Sequence, residues 1–294
     1  MTIDNLAFKI DYPVHHVVPY INWLYFFHAW GMEPRFATIA EVHDCPACRA
    51  GWIASFASEE QAKAREAATL YTEAMALLRH WGDKATCQAL CLLAEANSEG
   101  DDIVIAHRTR LPLLRQQKAG KEGYTLCLSD YIRPASSGMP DMIGVFATTA
   151  HIPESDDMLL ASTLADRLAE ATAERLHEEV RKQYWGYAKE ENLTLRELHQ
   201  EAFQGIRPAV GYPSLPDQSV NFIIDELLDL ARIGITLSSN GAMQPASSVS
   251  GLMIAHPKAR YFTIGDIGED QLRDYAVRRG LSMEKLRSFL ASNL

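Results

Sequence analysis

The chain lacks any run approaching about 18 uninterrupted apolar residues, so nothing in it is expected to span a bilayer. Its start, Met1-Thr-Ile-Asp-Asn-Leu-Ala-Phe-Lys9, lacks the basic head and apolar core of a secretory signal, which predicts a cytoplasmic protein. Positive charge is scarce: 28 Lys and Arg stand against 38 Asp and Glu, a net charge of −10, and the cations are scattered without a basic stripe. That argues against a nucleic-acid partner, which requires concentrated positive surface. Cysteine is sparse too. Five residues, an odd number, suggest reduced thiols and no disulfide framework. In Cys45-Pro-Ala-Cys48 a metal site would want a second pair or histidines at matching spacing, and the surroundings of Cys87 and Cys91 read as a strand. Cys45 and Cys48 are therefore read as unliganded thiols near a loop, with a metal or redox site as the alternative.

The familiar catalytic templates are also missing. No Gly-x-Gly-x-x-Gly follows a strand, which removes a Rossmann nucleotide site and the common methyltransferase design with its glycine-rich turn. There is no Walker A sequence, His177-Glu-Glu-Val-Arg181 lacks the second histidine of a zinc protease helix, and no Gly-x-Ser-x-Gly elbow occurs. Any chemistry must then belong to a bound cofactor.

What is present is an ordinary globular balance, 47% hydrophobic and 22% charged over 294 residues, enough to bury a core without staples as one large domain or two small ones. An aromatic patch, Tyr20-Ile-Asn-Trp-Leu-Tyr-Phe-Phe27, encloses a single polar side chain, Asn22. Ser58 with Gln61 predicts a capping box that opens an alanine-rich helix to about His80, stopped by Gly82. Ala89–Leu93 and Ile103–Ile105 flank a turn-rich segment and predict a hairpin. Further strands are expected at Tyr124–Leu128, Met142–Ala147, Gly251–Ala255 and Tyr261–Ile267. Helical spacing of Leu164, Leu168, Ala171, Leu176, Val180 and Tyr184 predicts a long helix from about Ser155 to Tyr184. Glu170, Glu174 and Glu178 form an acidic row along it, read as a solvated face unless part of the helix is buried against a cationic ligand. Thr194 with Glu197 predicts a second capping box opening a helix towards Phe203. Asp217 caps another towards Gly234, and two short helices separated by Gly280 end the chain. Strands and helices in irregular order indicate α+β.

Arg207-Pro-Ala-Val-Gly-Tyr-Pro213 falls between two predicted helices. Pro208 and Pro213 fix φ and remove donors, and Gly211 tolerates positive φ. Arg207 then offers a rigid fork to a carboxylate, and Tyr212 a flat face and a hydroxyl. Such a loop suits an amino acid attached to a purine; read by its residues alone it is equally a rigid turn with a surface arginine.

At this point the sequence resembles a known family. Tyr184-Trp-Gly-Tyr-Ala-x-x-Glu-Asn-Leu193 followed by Gln204-Gly-Ile-Arg-Pro-Ala-x-Gly-Tyr-Pro213 is similar to the activation (reactivation) domain of cobalamin-dependent methionine synthase. Gly100-Asp-Asp-Ile103, Asp130-Tyr-Ile-x-Pro134, Ser137-Gly138, Leu164-Ala-Asp-Arg-Leu-Ala-Glu-Ala171, Ala246-x-Ser-Val-Ser-Gly251 and His256-Pro257 agree in the same order. The resemblance runs from near Val18 to the last helix. It implies that residues 1–294 form a single curved α+β domain with a central antiparallel β-sheet flanked by helices. It implies a groove for S-adenosylmethionine (AdoMet) that closes over the corrinoid of a cobalamin-binding module. There an electron from flavodoxin and a methyl group from AdoMet restore methylcobalamin from the Co(II) form.

By position, the resemblance assigns Arg207 to the AdoMet carboxylate, and Ala209, Gly211 and Tyr212 to the loop along the ligand. Tyr261 and Phe262 take the place of a tyrosine pair, one hydroxyl short. Glu170 and Glu201 fall near the methionine portion, and Gln244 to Ser248 face the corrinoid, with Gln244-Pro-Ala246 where the family has Trp-Pro-Gly. Asn22 stands where the family has an aspartate for the α-ammonium. The expected role is reactivation of a separate synthase chain in trans, without activity alone; the alternative is an AdoMet-sensing or corrinoid-protein-binding module without turnover.

Overall fold

The computed structural model describes residues 5–120 and 123–294; the first four residues of the start read for a signal lie outside them. In chain order the principal elements are β1 (Leu6–Tyr12), α1 (Val14–Val17), α2 (Trp23–Ala29), α3 (Pro46–Ala54), α4 (Gln61–Trp81), β2 (Thr86–Glu99), β3 (Asp102–Ile105), β4 (Thr109–Pro112), β5 (Asp141–His151), α5 (Met158–Glu179), α6 (Leu195–His199), α7 (Val220–Leu228), β6 (Thr236–Leu237), β7 (Met243–Gln244), β8 (Ser248–Met253), α8 (Glu269–Arg279) and α9 (Met283–Phe289).

The centre is an antiparallel, curved sheet in the order β4-β3-β2-β5-β8. The long strand β2 is shared: β1 pairs with its first half (Leu6↔Leu93 to Tyr12↔Cys87), β3 with its end (Ala96↔Ile105 to Glu99↔Asp102), and β5 runs along its other side. Alternation sorts its side chains. Cys87, Ala89, Cys91 and Leu93 join the core beneath α1, α2, α4 and α5, while Leu90, Leu92, Ala94 and Ala96 join a second core that includes Val220, Ile224 and Leu228 of α7. With both faces covered, the strand reads as an almost continuous apolar run. A third cluster, with Leu272, Tyr275 and Leu286, holds α8 against α9.

The expected hairpin forms around a two-residue turn, Gly100-Asp101, with Gly100 at φ 61°. The long helix forms as α5, capped by Asp157, whose carboxylate accepts from Leu160 N–H at 3.0 Å, and it ends in a π turn over Val180–Tyr184. The Thr194–Glu197 capping box is present.

Five expectations fail. Asp217 does not cap α7: its carboxylate accepts from Ser219 N–H at 2.8 Å, Ser219 takes the N-cap place without a side-chain bond, and the helix ends at Leu228, where Asp229 turns to φ 55°. Ser58 does not cap α4; the chain enters that helix through a backbone turn in which Ala57 O accepts from Glu60 and Gln61 N–H. The helix opened by Thr194 stops at His199 short of Phe203, because Glu201 turns into the left-handed region at φ 57°. Tyr124–Leu128 makes only an isolated bridge, Arg115↔Cys127. There the Arg115 guanidinium bonds Asp130 and the Thr125 carbonyl, and side-chain bonds replace a ladder. Tyr261–Ile267 joins no ladder and turns at Gly265 (φ 75°); it is tied by Phe262 N–H to Ser214 Oγ (3.0 Å) and Ile264 N–H to Pro213 O (2.9 Å). Strands β1 and β4 lie outside the expected set: β1 carries a two-residue alternation, Phe8-Lys-Ile-Asp-Tyr12, whereas the four-residue β4 has no local signal and is defined by its pairing with β3.

Candidate functional site

A groove of about 500 Å³ lies between α5, the segment around Arg207, and the chain near Tyr261. One face of α5 forms a wall. Arg167, Glu170, Ala171 and Glu174 recur at the three- and four-residue spacing that puts side chains on one helical stripe. The acidic row is thus not a solvated face: Glu174 is buried, Glu170 accepts from Tyr212 Oη at 2.7 Å, and Glu178 accepts from Tyr20 Oη at 2.6 Å.

The opposite wall is laid down by the sheet. Residues 206 to 210 run antiparallel to β8, with Ile206 and Ile254 exchanging bonds of 2.9 and 3.0 Å, Leu252 N–H reaching Pro208 O (3.0 Å) and Val210 N–H reaching Ser250 O (2.9 Å). What looked like a tight loop is therefore an extension of the sheet edge, and Pro208, lacking a donor, limits that ladder. Gly251 permits the close approach, because a Cβ there would stand 2.3 Å from Pro208 O. Gly211, at φ 86°, then turns the chain and donates to Leu215 O at 2.9 Å.

This edge aims Arg207 into the groove. Its guanidinium donates to Glu174 Oε2 (3.0 Å) and contacts His177 Nδ1 (3.2 Å), while its backbone N–H donates to Tyr261 Oη (2.9 Å). A guanidinium only donates, so His177 Nδ1 must accept and its proton resides on Nε2, towards Tyr187 Oη at 3.3 Å. Burial, with Arg181 and Arg207 nearby, holds the His177 pKa well below its usual value, so the ring is neutral. Two of the five guanidinium N–H groups are used in these contacts, which leaves others for a ligand. Glu174 Oε1 is buried without a hydrogen-bond partner.

The groove brings together eight residues that the sequence nominated: Asn22, Glu170, Glu201, Arg207, Ala209, Tyr212, Tyr261 and Phe262. Asn22 is the N-cap of α2 and accepts from Leu24 N–H at 3.1 Å. Glu201 is partly desolvated, which raises its carboxyl pKa; Arg207 opposes and Glu174 adds to that shift. Its left-handed backbone, uncommon for a residue with a side chain, sits at the groove as strained residues often do at binding sites. Gly211 shapes the loop without lining the groove. Gln244 and Ser248 lie elsewhere: Gln244 is exposed on the β6–β7 ribbon, and Ser248 Oγ is within bonding reach of Pro245 O (2.8 Å) and Thr149 Oγ1 (2.9 Å). Tyr20, Tyr25, Arg167, Glu174 and His199 also line the groove and were not nominated. Glu174 had a signal in the acidic row, Tyr20 and Tyr25 in the aromatic patch and Arg167 in the Leu164–Ala171 motif; His199 had none.

In charge, three carboxylates (Glu170, Glu174, Glu201) face two guanidiniums (Arg167, Arg207). An α+β domain with an amphoteric groove of this volume has the form of a small-molecule binding domain. The family described as vitamin B12 dependent methionine synthase, activation domain, matches residues 13–280, and this chain belongs to it. A crystal structure of the MetH reactivation domain bound to AdoHcy is similar over 98% of this chain and 90% of that one, at 34% identity and a TM-score of 0.84. Among the described residues no helix is long and apolar enough to cross a membrane.

Proposed function

We propose that the groove binds AdoMet and presents its methyl group to the corrinoid of a methionine synthase cobalamin module. One observation above all supports this reading: Arg207 is held by Glu174 and His177 with guanidinium N–H groups to spare, in the wall of a groove lined by three carboxylates and two guanidiniums. The related domain bound to AdoHcy, the demethylated form of the same ligand, supports it as well.

AdoMet carries a carboxylate, an ammonium and a sulfonium, a net charge of +1. Arg207 takes the carboxylate as a charge-assisted pair, and Glu170 and Glu201 supply negative potential for the cationic groups. Ala209, on a backbone fixed by β8, gives the ligand a flat approach, Gly211 shapes the turn behind it, and Tyr212, anchored on Glu170, closes one side. Tyr261 Oη accepts from Arg207 N–H, so its own proton remains to be donated to the ligand. The partner's corrinoid supplies the cobalt that accepts the methyl group, with an electron from a flavodoxin-type donor. Gln244 and Ser248 lie outside the groove and are proposed to face that partner. The residues of this chain bind and orient; they exchange no proton with the reacting carbon.

Two measurements test this. Calorimetry should detect AdoMet binding by the wild-type chain and none by Arg207→Ala. The chain, mixed with AdoMet, reductant and a Co(II) synthase lacking its own reactivation domain, should restore turnover; AdoMet binding with no rescue would exclude the reactivation step alone. A second reading, binding without turnover, is favoured by Asn22, which lacks the negative charge of the family's aspartate, by Phe262, which lacks a tyrosine hydroxyl, and by Gln244-Pro-Ala246 in place of Trp-Pro-Gly. Tight AdoMet binding with no methyl transfer to any corrinoid protein would support it over the first.

A further inference from the structure

Far along the chain from the groove residues on α5 and β8, three reactive side chains converge at the start of α3. One donor atom each of His43, Cys45 and Cys48 lies within 4.8 Å of the others. Cys45 is the N-cap of this nine-residue helix and Pro46 its first residue. The Cys45 Sγ accepts from Cys48 N–H at 3.2 Å and lies 2.6 Å from Cys48 Sγ. Both thiols reach solvent, whereas Cys87, Cys91 and Cys127 are buried.

We propose that Cys45 and Cys48 form a redox-active dithiol that exchanges with disulfides, Cys45 attacking and Cys48 resolving. The asymmetry is built into the fold. Cys45 sits where the free N–H groups and positive end of a helix favour a thiolate, with the Cys48 thiol and the His43 ring beside it. Cys48 lies one turn in, and the adjoining Cys45 thiolate disfavours its ionisation. The thiol pKa values follow: contacts with Cys48 and then His43 bring Cys45 down to about 7, and Cys45 pushes Cys48 up. The other charges here, Asp44 and Arg49, pair with each other, and Tyr71 of α4 faces both.

The exchange balances without a metal or flavin. The Cys45 thiolate attacks one sulfur of an external disulfide; its S–S bond breaks, and the first thiol leaves with a proton. Cys48 then loses its proton and attacks Cys45 Sγ, expelling the second thiol. The external disulfide gains two electrons and two protons, and the chain gains a Cys45–Cys48 bond.

Glutathione disulfide is the probe, and peptide mass spectrometry the readout. In the wild-type chain an internal Cys45–Cys48 disulfide should form and reverse with dithiothreitol, while the three buried cysteines stay reduced. Cys48→Ser should instead accumulate a glutathione adduct on Cys45. Cys45→Ser should react about tenfold more slowly or worse, having lost the activated thiol. His43→Ala should weaken the ultraviolet thiolate absorbance at neutral pH, which a purely structural role would not do. Equal adducts on both single variants would overturn the proposal. So would metal analysis finding one tightly bound zinc that blocks both thiols in the purified chain.

Discussion

Glu174 on α5 and Arg207 on the β8 edge, 33 residues apart in sequence, meet at 3.0 Å and are both largely withdrawn from solvent. Each makes the other tolerable there, because a buried charge without its partner is costly. Arg207→Ala and Glu174→Ala should each destabilise the fold by about 3 kcal/mol, and the double variant by clearly less than the sum. Denaturant titration of the four proteins checks this. Strict additivity would mean that the pair is not energetically coupled.

Asn22 caps α2 through Oδ1, a role that aspartate fills equally well. Asn22→Asp should therefore leave the helix intact while adding a charge at the groove. AdoMet affinity should rise on the order of tenfold, the difference between a neutral and a charge-assisted bond. Calorimetry reads the effect, and no gain would remove Asn22 from the ammonium end of the ligand.

Gly251 and Gly211 make a contrasting pair. A Cβ on Gly251 collides with the Pro208 carbonyl, while one on Gly211 meets nothing within 4 Å and suffers only from the positive φ. Gly251→Ala should push the Arg207 segment off β8 and lower AdoMet affinity more than tenfold. Gly211→Ala should cost only about 1 kcal/mol of stability. Similar losses from both would mean that the close approach on β8 does not position the site.

His177 is neutral in the folded chain and its pKa is depressed by burial beside Arg181 and Arg207. The unfolded chain, with an ordinary histidine pKa near 6.5, binds a proton that the folded chain refuses. The stability linked to His177 is therefore present above about pH 6.5 and lost as pH falls below it, by up to roughly 1.4 kcal/mol per pH unit. His177→Asn, which keeps an acceptor for Arg207, should flatten that part of the stability–pH curve. Parallel curves for the two proteins between pH 6.5 and 5 would contradict the assignment.

Much of this protein is written locally. The apolar period of α5, the Thr194–Glu197 box and the glycine-bounded hairpin after β2 depend on neighbours within a few residues, so the sequence alone determines them. The Arg207–Tyr212 segment and the motifs around it likewise determined the family. Tertiary structure decided the rest. Tyr124–Leu128 and Tyr261–Ile267 have strand composition, yet their bonds go to Arg115, Ser214 and Pro213, partners distant in sequence. Glu174 differs in no local respect from Glu170 or Glu178. Only the β8 edge, brought against α5 across the sheet, turns one of three similar carboxylates into the buried partner of the arginine that defines the groove.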